Sequence, residues 1–343
     1  MAKRYKRHRD YGFFDQDLRL SKLSELGDPL ERLAEGIDFE IFRDLLETKL
    51  TRESIGKGGR PPYDYLLMFK IIILQRYYNM SDDQVEYQIN DRMSFMRFLN
   101  LTISDDIPDS KTIWHFSERL TELGMAKELF DLFTKELERL NLVVNEGKII
   151  DASFVEAPKQ RNSKEKNKQI KEGKGSELWN DQPNKKSQKD IDARWTKKNH
   201  QNYYGYKNHT KVNNKSKLID DYVVTDASVH DSQTIDALLS ETDKGQEFYA
   251  DSAYVGQEAI LKKYDLIDKV HQKGYKNKPL SEEQKQSNTE KSRVRVRVEH
   301  VFGFMENSMG SMNYRKIGIG RAKTVIGLMN LTYNMFRKIQ LTA

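Results

Sequence analysis

Two apolar runs in this chain each end in an aspartate. Lys148-Ile149-Ile150 leads into Asp151, and Phe248-Tyr249-Ala250 leads into Asp251. A third acid, Glu299, stands in the arginine-rich stretch 292–303, SRVRVRVEHVFG, which reads as a helix. Two strand-borne aspartates and a helix-borne glutamate can hold Mg²⁺ through hard oxygen ligands. A pair of such ions about 4 Å apart stabilises the attacking and leaving oxygens of an in-line displacement at phosphorus. Taken singly, each carboxylate reads as solvated surface; together, in a basic protein, they read as a nuclease-like site.

The elements that must position these acids change character along the chain. From Leu18 to Leu142 the pattern is helical, behind a basic tail at 1–15. The segment 63–80 follows a Gly-Arg-Pro-Pro breaker, 81–90 opens on N-cap residues, and 108–124 runs from Pro-Asp-Ser to Gly124. In that last helix Ile113, Phe116 and Leu120 form the apolar stripe, leaving Lys111, Thr112, His115 and Arg119 on other faces. This arrangement is compatible with a helix-turn-helix reader of DNA, or with an ordinary helical domain. After Gly147 the period shortens. Strands are expected at 147–156, 205–213, 218–226, a run ending at Asp251, and 267–271. Helices are expected at 231–239, 257–264 and 322–340, with a loop over 273–290 before the helix of Glu299. The order β-β-β-α-β-α-β-α, with acids on the first strand, the fourth strand and a late helix, is the layout of a ribonuclease-H-like domain. The expected fold is therefore mixed α+β: a helical DNA-binding domain, 1–145, then a ribonuclease-H-like catalytic domain, 146–343.

Composition narrows the chemistry. The 343 residues include no cysteine, which excludes disulfides, Cys-ligated zinc and thiol catalysis and suits a reducing cytoplasm. The start shows no apolar signal-peptide core, and the most apolar run, 66–74, is far short of the roughly 20 residues that span a bilayer. A cytoplasmic, nucleoid-associated protein without a membrane partner is expected. Net charge is +6, and the segment 157–200 alone holds 13 Lys+Arg against 6 Asp+Glu. Poor in apolar residues, it reads as a basic insertion after the first strand, disordered when free. Its lysines, Lys197 and Lys198 among them, would neutralise DNA phosphates. Trp195, and Tyr203, Tyr204 and Tyr206 beyond it, can stack on bases or pack under a sheet. His230-Asp231 opens a helix, as a cap or as support for the acids from behind.

These residues also resemble a family. The segments GRPPYDYLLMFKIIILQRYYNMSDDQVEYQI, IPDSKTIWHF, IIDASFVEAP, VHD at 229–231, YADSAYVG and RVRVEHVFG are similar, in order, to bacterial insertion-sequence transposases of the DDE class, the IS-five group. The likeness runs from Gly59 to Gly320. It implies catalytic, metal-holding acids at Asp151, Asp251 and Glu299. It further implies two Mg²⁺ ions, with Mn²⁺ substituting, and double-stranded DNA as transposon ends and target. A homodimer would form in the synaptic complex. Related transposases carry Tyr-x2-Arg-x3-Glu-x6-Lys around the third acid. Arg295 fits that pattern, but Ser292 stands at the Tyr position and Glu306 at the Lys position, so Glu306 is a reserve for the third acid. Arg295 and Arg297 are expected to contact phosphate, although on a helix they point in different directions. Two rival readings remain: a non-catalytic DNA binder derived from a transposase, and a ribonuclease-H-like nuclease without strand transfer.

Overall fold

The computed structural model describes residues 12–51, 61–198, 200–275 and 278–342. Most of the expected basic tail, and Gly59 and Arg60 of the breaker, lie outside them. The first part is helical: α1 (Asp15–Glu25), α2 (Pro29–Gly36), α3 (Arg43–Leu50), α4 (Tyr65–Tyr77), α5 (Asp82–Asp91), α6 (Met93–Leu99), α7 (Ser110–Glu122) and α8 (Met125–Arg139). Local signals set the starts. Asp64 caps α4 through the Leu66 N–H, Ser81 and Gln84 form a reciprocal capping box on α5, and Asp109 caps α7 through the Thr112 N–H. Ile113, Phe116 and Leu120 of α7 are buried, as the 3.6-residue period requires.

The second part is built on one mixed sheet. Its strands are β1 (Gly147–Glu156), β2 (Arg194–Lys198), β3 (Gln201–Asn213), β4 (Ile219–Asp226), β5 (Glu247–Tyr249) and β6 (Ile267–Asp268), in the order β2-β3-β1-β5-β6 with β4 also on β3. β3 runs antiparallel to β1, β2 and β4, whereas β5 runs parallel to β1 and β6. Between β1 and β3 the backbones approach so closely at Gly205 (φ +146°) that a Cβ would lie 2.3 Å from the Val155 carbonyl oxygen. Short helices α9 (Lys164–Lys171), α10 (Pro183–Lys186), α11 (Ile235–Leu238) and α12 (Glu258–Lys263) fill the connections.

Three expectations need correction. The stretch after β1 is folded, not disordered: it carries α9, α10 and β2, and buries Ile170 and Trp179. Buried Asp190 anchors it, accepting from the Tyr206 hydroxyl and from the N–H groups of Asp192, Ala193 and Gly318. The loop expected over 273–290 is shorter, because α13 (Glu282–Asn307) starts early on a Ser281–Gln284 capping box. The helix expected at 231–239 is a 3₁₀ turn, Asp231–Thr234, followed by the single turn α11.

The last helix, α14 (Ile319–Thr342), is buried over most of its length and packs on α2, α4, α7 and α8 on one side and on β3 and β4 on the other. Its polar side chains are satisfied inside. Asn330 and Asn208 exchange amide hydrogen bonds (2.7 and 3.1 Å), and Asn334 bonds both backbone groups of Ile219. One apolar core therefore runs without interruption from Leu30 of α2 through Ile149 to Val298 of α13 and Phe336 of α14. A smaller cluster, Ile150, Ile235, Leu238, Phe248 and Tyr254 among it, covers the other sheet face. Alternate residues of β1 thus serve opposite layers.

Candidate active site

The parallel register Ile149↔Tyr249 carries the two aspartates to neighbouring places. Each lies two residues beyond that pair, Asp151 within β1 and Asp251 just past the end of β5. The Asp251 carboxylate accepts from the Ala253 N–H (2.8 Å) and so caps the turn Ser252–Tyr254. Asp151 accepts from the Ala152 N–H and is otherwise enclosed, its side chain 13% exposed. Burial pushes its carboxyl up to about 6, helped by the negative charge of Asp251 and opposed by Arg295 and Lys198.

Helix α13 crosses this end of the sheet, held by the burial of Val298, Val301 and Met305. Arg295 Nη2 lies 3.6 Å from Asp151 Oδ2 and 3.9 Å from Glu299 Oε1, one turn further along. Glu299 joins the group only through this arginine, and its side chain is 61% exposed. Among the described residues, no three His, Cys, Asp or Glu side chains stand close enough to hold a metal ion. The donors present nevertheless suit a hard cation. Two carboxylates sit side by side, one of them largely enclosed, and among the described residues the buried Tyr254 hydroxyl has no hydrogen-bond partner; Arg295 Nε, likewise unpartnered there, can only donate and suits an anion instead. The Tyr254 hydroxyl feels the charges of Asp151, Asp231 and Asp251.

The other expected residues separate into groups. Lys198 is near enough to act electrostatically on Asp151, and Lys197 and Trp195 are exposed beside it on β2. Arg297 points away from the acids and donates to the Asn214 carbonyl, tethering α13 to the β3–β4 turn. Lys111 and His115 are exposed on α7, Thr112 is half-buried, and Arg119 pairs with Glu122. None of the four makes a described contact with the acids. His230 is exposed and bonded to Ser232, while Asp231 is buried and paired to Lys207 Nζ at 2.8 Å. Glu306 is exposed.

Sequence reading missed the supports behind the acids. On β3, Lys207, His209 and Lys211 share the face turned away from Asp151, which pairs with Thr210. His209 is fully buried against Thr225, and burial pushes its imidazole down to about 4. The signal was there: Lys-Asn-His-Thr-Lys is too polar for a central strand unless every charge finds a partner.

Two family comparisons match the chain. Residues 18–119 match the family described as Transposase domain (DUF772), and residues 144–335 match Transposase DDE domain. Among solved structures, a piggyBac transposase in a synaptic complex with hairpin DNA is 11% identical, with 92% of this chain and 75% of that chain covered at a TM-score of 0.44. Similarity at that level carries no argument about fold or function. The second match spans more than half of the chain, side-by-side Asp151 and Asp251 included, and the chain therefore belongs to the DDE transposases.

Proposed function

We propose that this chain cuts the ends of a DNA transposon and joins the freed 3′-hydroxyl to target DNA. The observation that carries the reading is the convergence of Asp151, Asp251 and the Arg295–Glu299 turn at one end of the sheet. We further propose that residues 146–343 form a ribonuclease-H-like catalytic domain of the IS-five type. Residues 1–145 would bind transposon ends, and two copies would meet in the synaptic complex.

Asp151, Asp251 and a Glu299 turned inward would hold two Mg²⁺ ions, which when bound supply Lewis-acid stabilisation of charge at the reacting phosphate. The protein's own groups do the positioning. Arg295, with no close carboxylate bond, is free to turn its fork onto a phosphate oxygen. Lys198 adds positive charge on the β2 side, and Arg297 fixes the height of α13 over the sheet. Enclosure of Asp151 excludes competing water from the carboxylate. Both cleavage and joining then depend on geometry and charge neutralisation.

Cleavage of a plasmid carrying the element's flanking terminal sequences tests this reading. With Mg²⁺ the wild-type chain is expected to cut at those ends. Asp251→Asn and Glu299→Gln are each expected to lose about 10³-fold or more while still binding the DNA. Cutting by either variant at near the wild-type rate would remove that residue from the site. Binding without cutting by the wild type would favour the non-catalytic regulator.

A further inference from the structure

A polar cavity of about 290 Å³ lies between the α4–α5 junction and the segment joining α13 to α14. Asn79, Gln84, Gln88, Arg92 and Arg315 line it, and among the described residues no Asp or Glu does. Gln84, Gln88 and Arg92 recur every four residues, so they form one column along α5 and just past its end. Arg92 is held over the rings of Tyr78 and Phe95, its guanidinium carbon 5.7 and 5.1 Å from their centroids. Neither Arg92 nor Arg315 has an ion-pair partner among the described residues. Gln84 spends its carbonyl on the capping box, leaving its amide N–H groups to donate, and the buried Gln88 Oε1 has no partner.

Arg76, just before the junction, makes no ion pair among the described residues, and burial pushes it down to about 10 against the opposing charge of Asp82. Burial and the nearby Arg76 also lower Lys316, although that lysine bonds the Ser117 hydroxyl and lies 3.9 Å from Glu118. Two neighbouring acids are engaged elsewhere, since Asp82 accepts from Gln75 and Glu118 is gripped by Arg321, while Asp83 and Asp91 of α5 are exposed to solvent. Two guanidinium groups that line one cavity without an ion-pair partner among the described residues, beside amide donors, are suited to bind a phosphodiester oxygen.

The cavity is also tied to the catalytic strand. The Tyr314 N–H, next to Arg315, bonds the carbonyl of Glu156 at the end of β1. Glu156 is five residues beyond Asp151, about 17 Å along a strand. We propose that this cavity is a second seat for the DNA backbone. It takes a phosphate between Arg92 and Arg315 while the acids face another phosphate of the same duplex. This rests on the DNA-processing reading above.

The test uses the full chain in chelator, so that binding is read without cleavage, with a labelled duplex titrated across a salt series. Arg92→Gln/Arg315→Gln is expected to weaken binding about tenfold and to flatten the log–log salt slope by about 1.8, or 0.9 for each lost contact. Lys244→Gln/Lys262→Gln removes the same charge from exposed sites outside the cavity and should leave both quantities unchanged. Arg92→Lys/Arg315→Lys keeps the charge and should recover the slope, which separates phosphate binding from damage to the fold. Wild-type affinity and slope in the Gln pair would overturn the proposal, as would equal losses in the control pair. Wild-type protein that binds no duplex would overturn the DNA reading itself.

Discussion

The two faces of the central sheet handle charge in opposite ways. On the face covered by the smaller core, Lys207 meets Asp231 at 2.8 Å, Lys211 meets Asp243 at 2.7 Å and Lys148 meets Asp220 at 2.6 Å, all nearly sealed from water. On the face under α13, Asp151 is largely enclosed, its side chain 13% exposed, yet its nearest cation stands at 3.6 Å and is shared with Glu299. Burying charge is costly unless close pairing compensates for it. The paired face shows that this fold can supply such partners. The face under α13 instead leaves a largely enclosed carboxylate with one looser partner, an arrangement that the proposed cation site would use.

This contrast can be broken from the paired side first. Lys211→Met leaves buried Asp243 with only Lys148, 4.0 Å away, and should destabilise the protein by about 3 kcal/mol in denaturant unfolding. Lys211→Met/Asp243→Leu removes both charges and should recover much of the loss. A single variant as stable as wild type would mean that the pair contributes nothing.

A smaller effect sharpens the comparison through pH. His209 titrates near 4 in the folded chain, below its ordinary 6.5, so the unfolded state binds the extra proton between those values. Stability is fully present above about pH 6.5 and falls as pH drops toward 4, by about 3 kcal/mol from this group. Asp220, raised by burial, works in the opposite direction, so the measurement is the difference between wild type and His209→Gln. Parallel stability curves for the two between pH 7 and 4 would remove His209 as the cause.

The smallest expected effect concerns the reserve acid. Glu306 is exposed and two helical turns beyond Glu299, so Glu306→Gln should leave cleavage within about twofold of wild type. A loss comparable with that of Glu299→Gln would move the third acid to position 306.

Much of this was legible in sequence because the signals were local. The apolar run into Asp151 reads as a strand, and the stripe of α7 falls on the residues that are buried. What was missed depended on partners distant in the chain. The stretch after β1 is too polar to look folded, since its anchor is Asp190 bonded to Tyr206, and few apolar residues mark it. The early start of α13 was legible but unread: Ser281 and Gln284 are a capping-box pair inside what looked like a loop. Arg297 looked like a phosphate contact because its tether, the Asn214 carbonyl, is 83 residues away. No spacing rule could have found the Asp151–Arg295–Glu299 geometry, which exists only once α13 lies across the sheet.

The central claim is that Asp151 is kept for a cation and not for folding. Thermal unfolding of wild type and Asp151→Asn near pH 7.5, with and without Mg²⁺, tests it most directly. The raised carboxyl means that the ionised group costs folding about 1–3 kcal/mol at that pH, so the variant should melt higher than wild type without metal. Mg²⁺ should then stabilise wild type and leave the variant where it was. A variant that melts lower than wild type and still gains stability from Mg²⁺ would contradict the account.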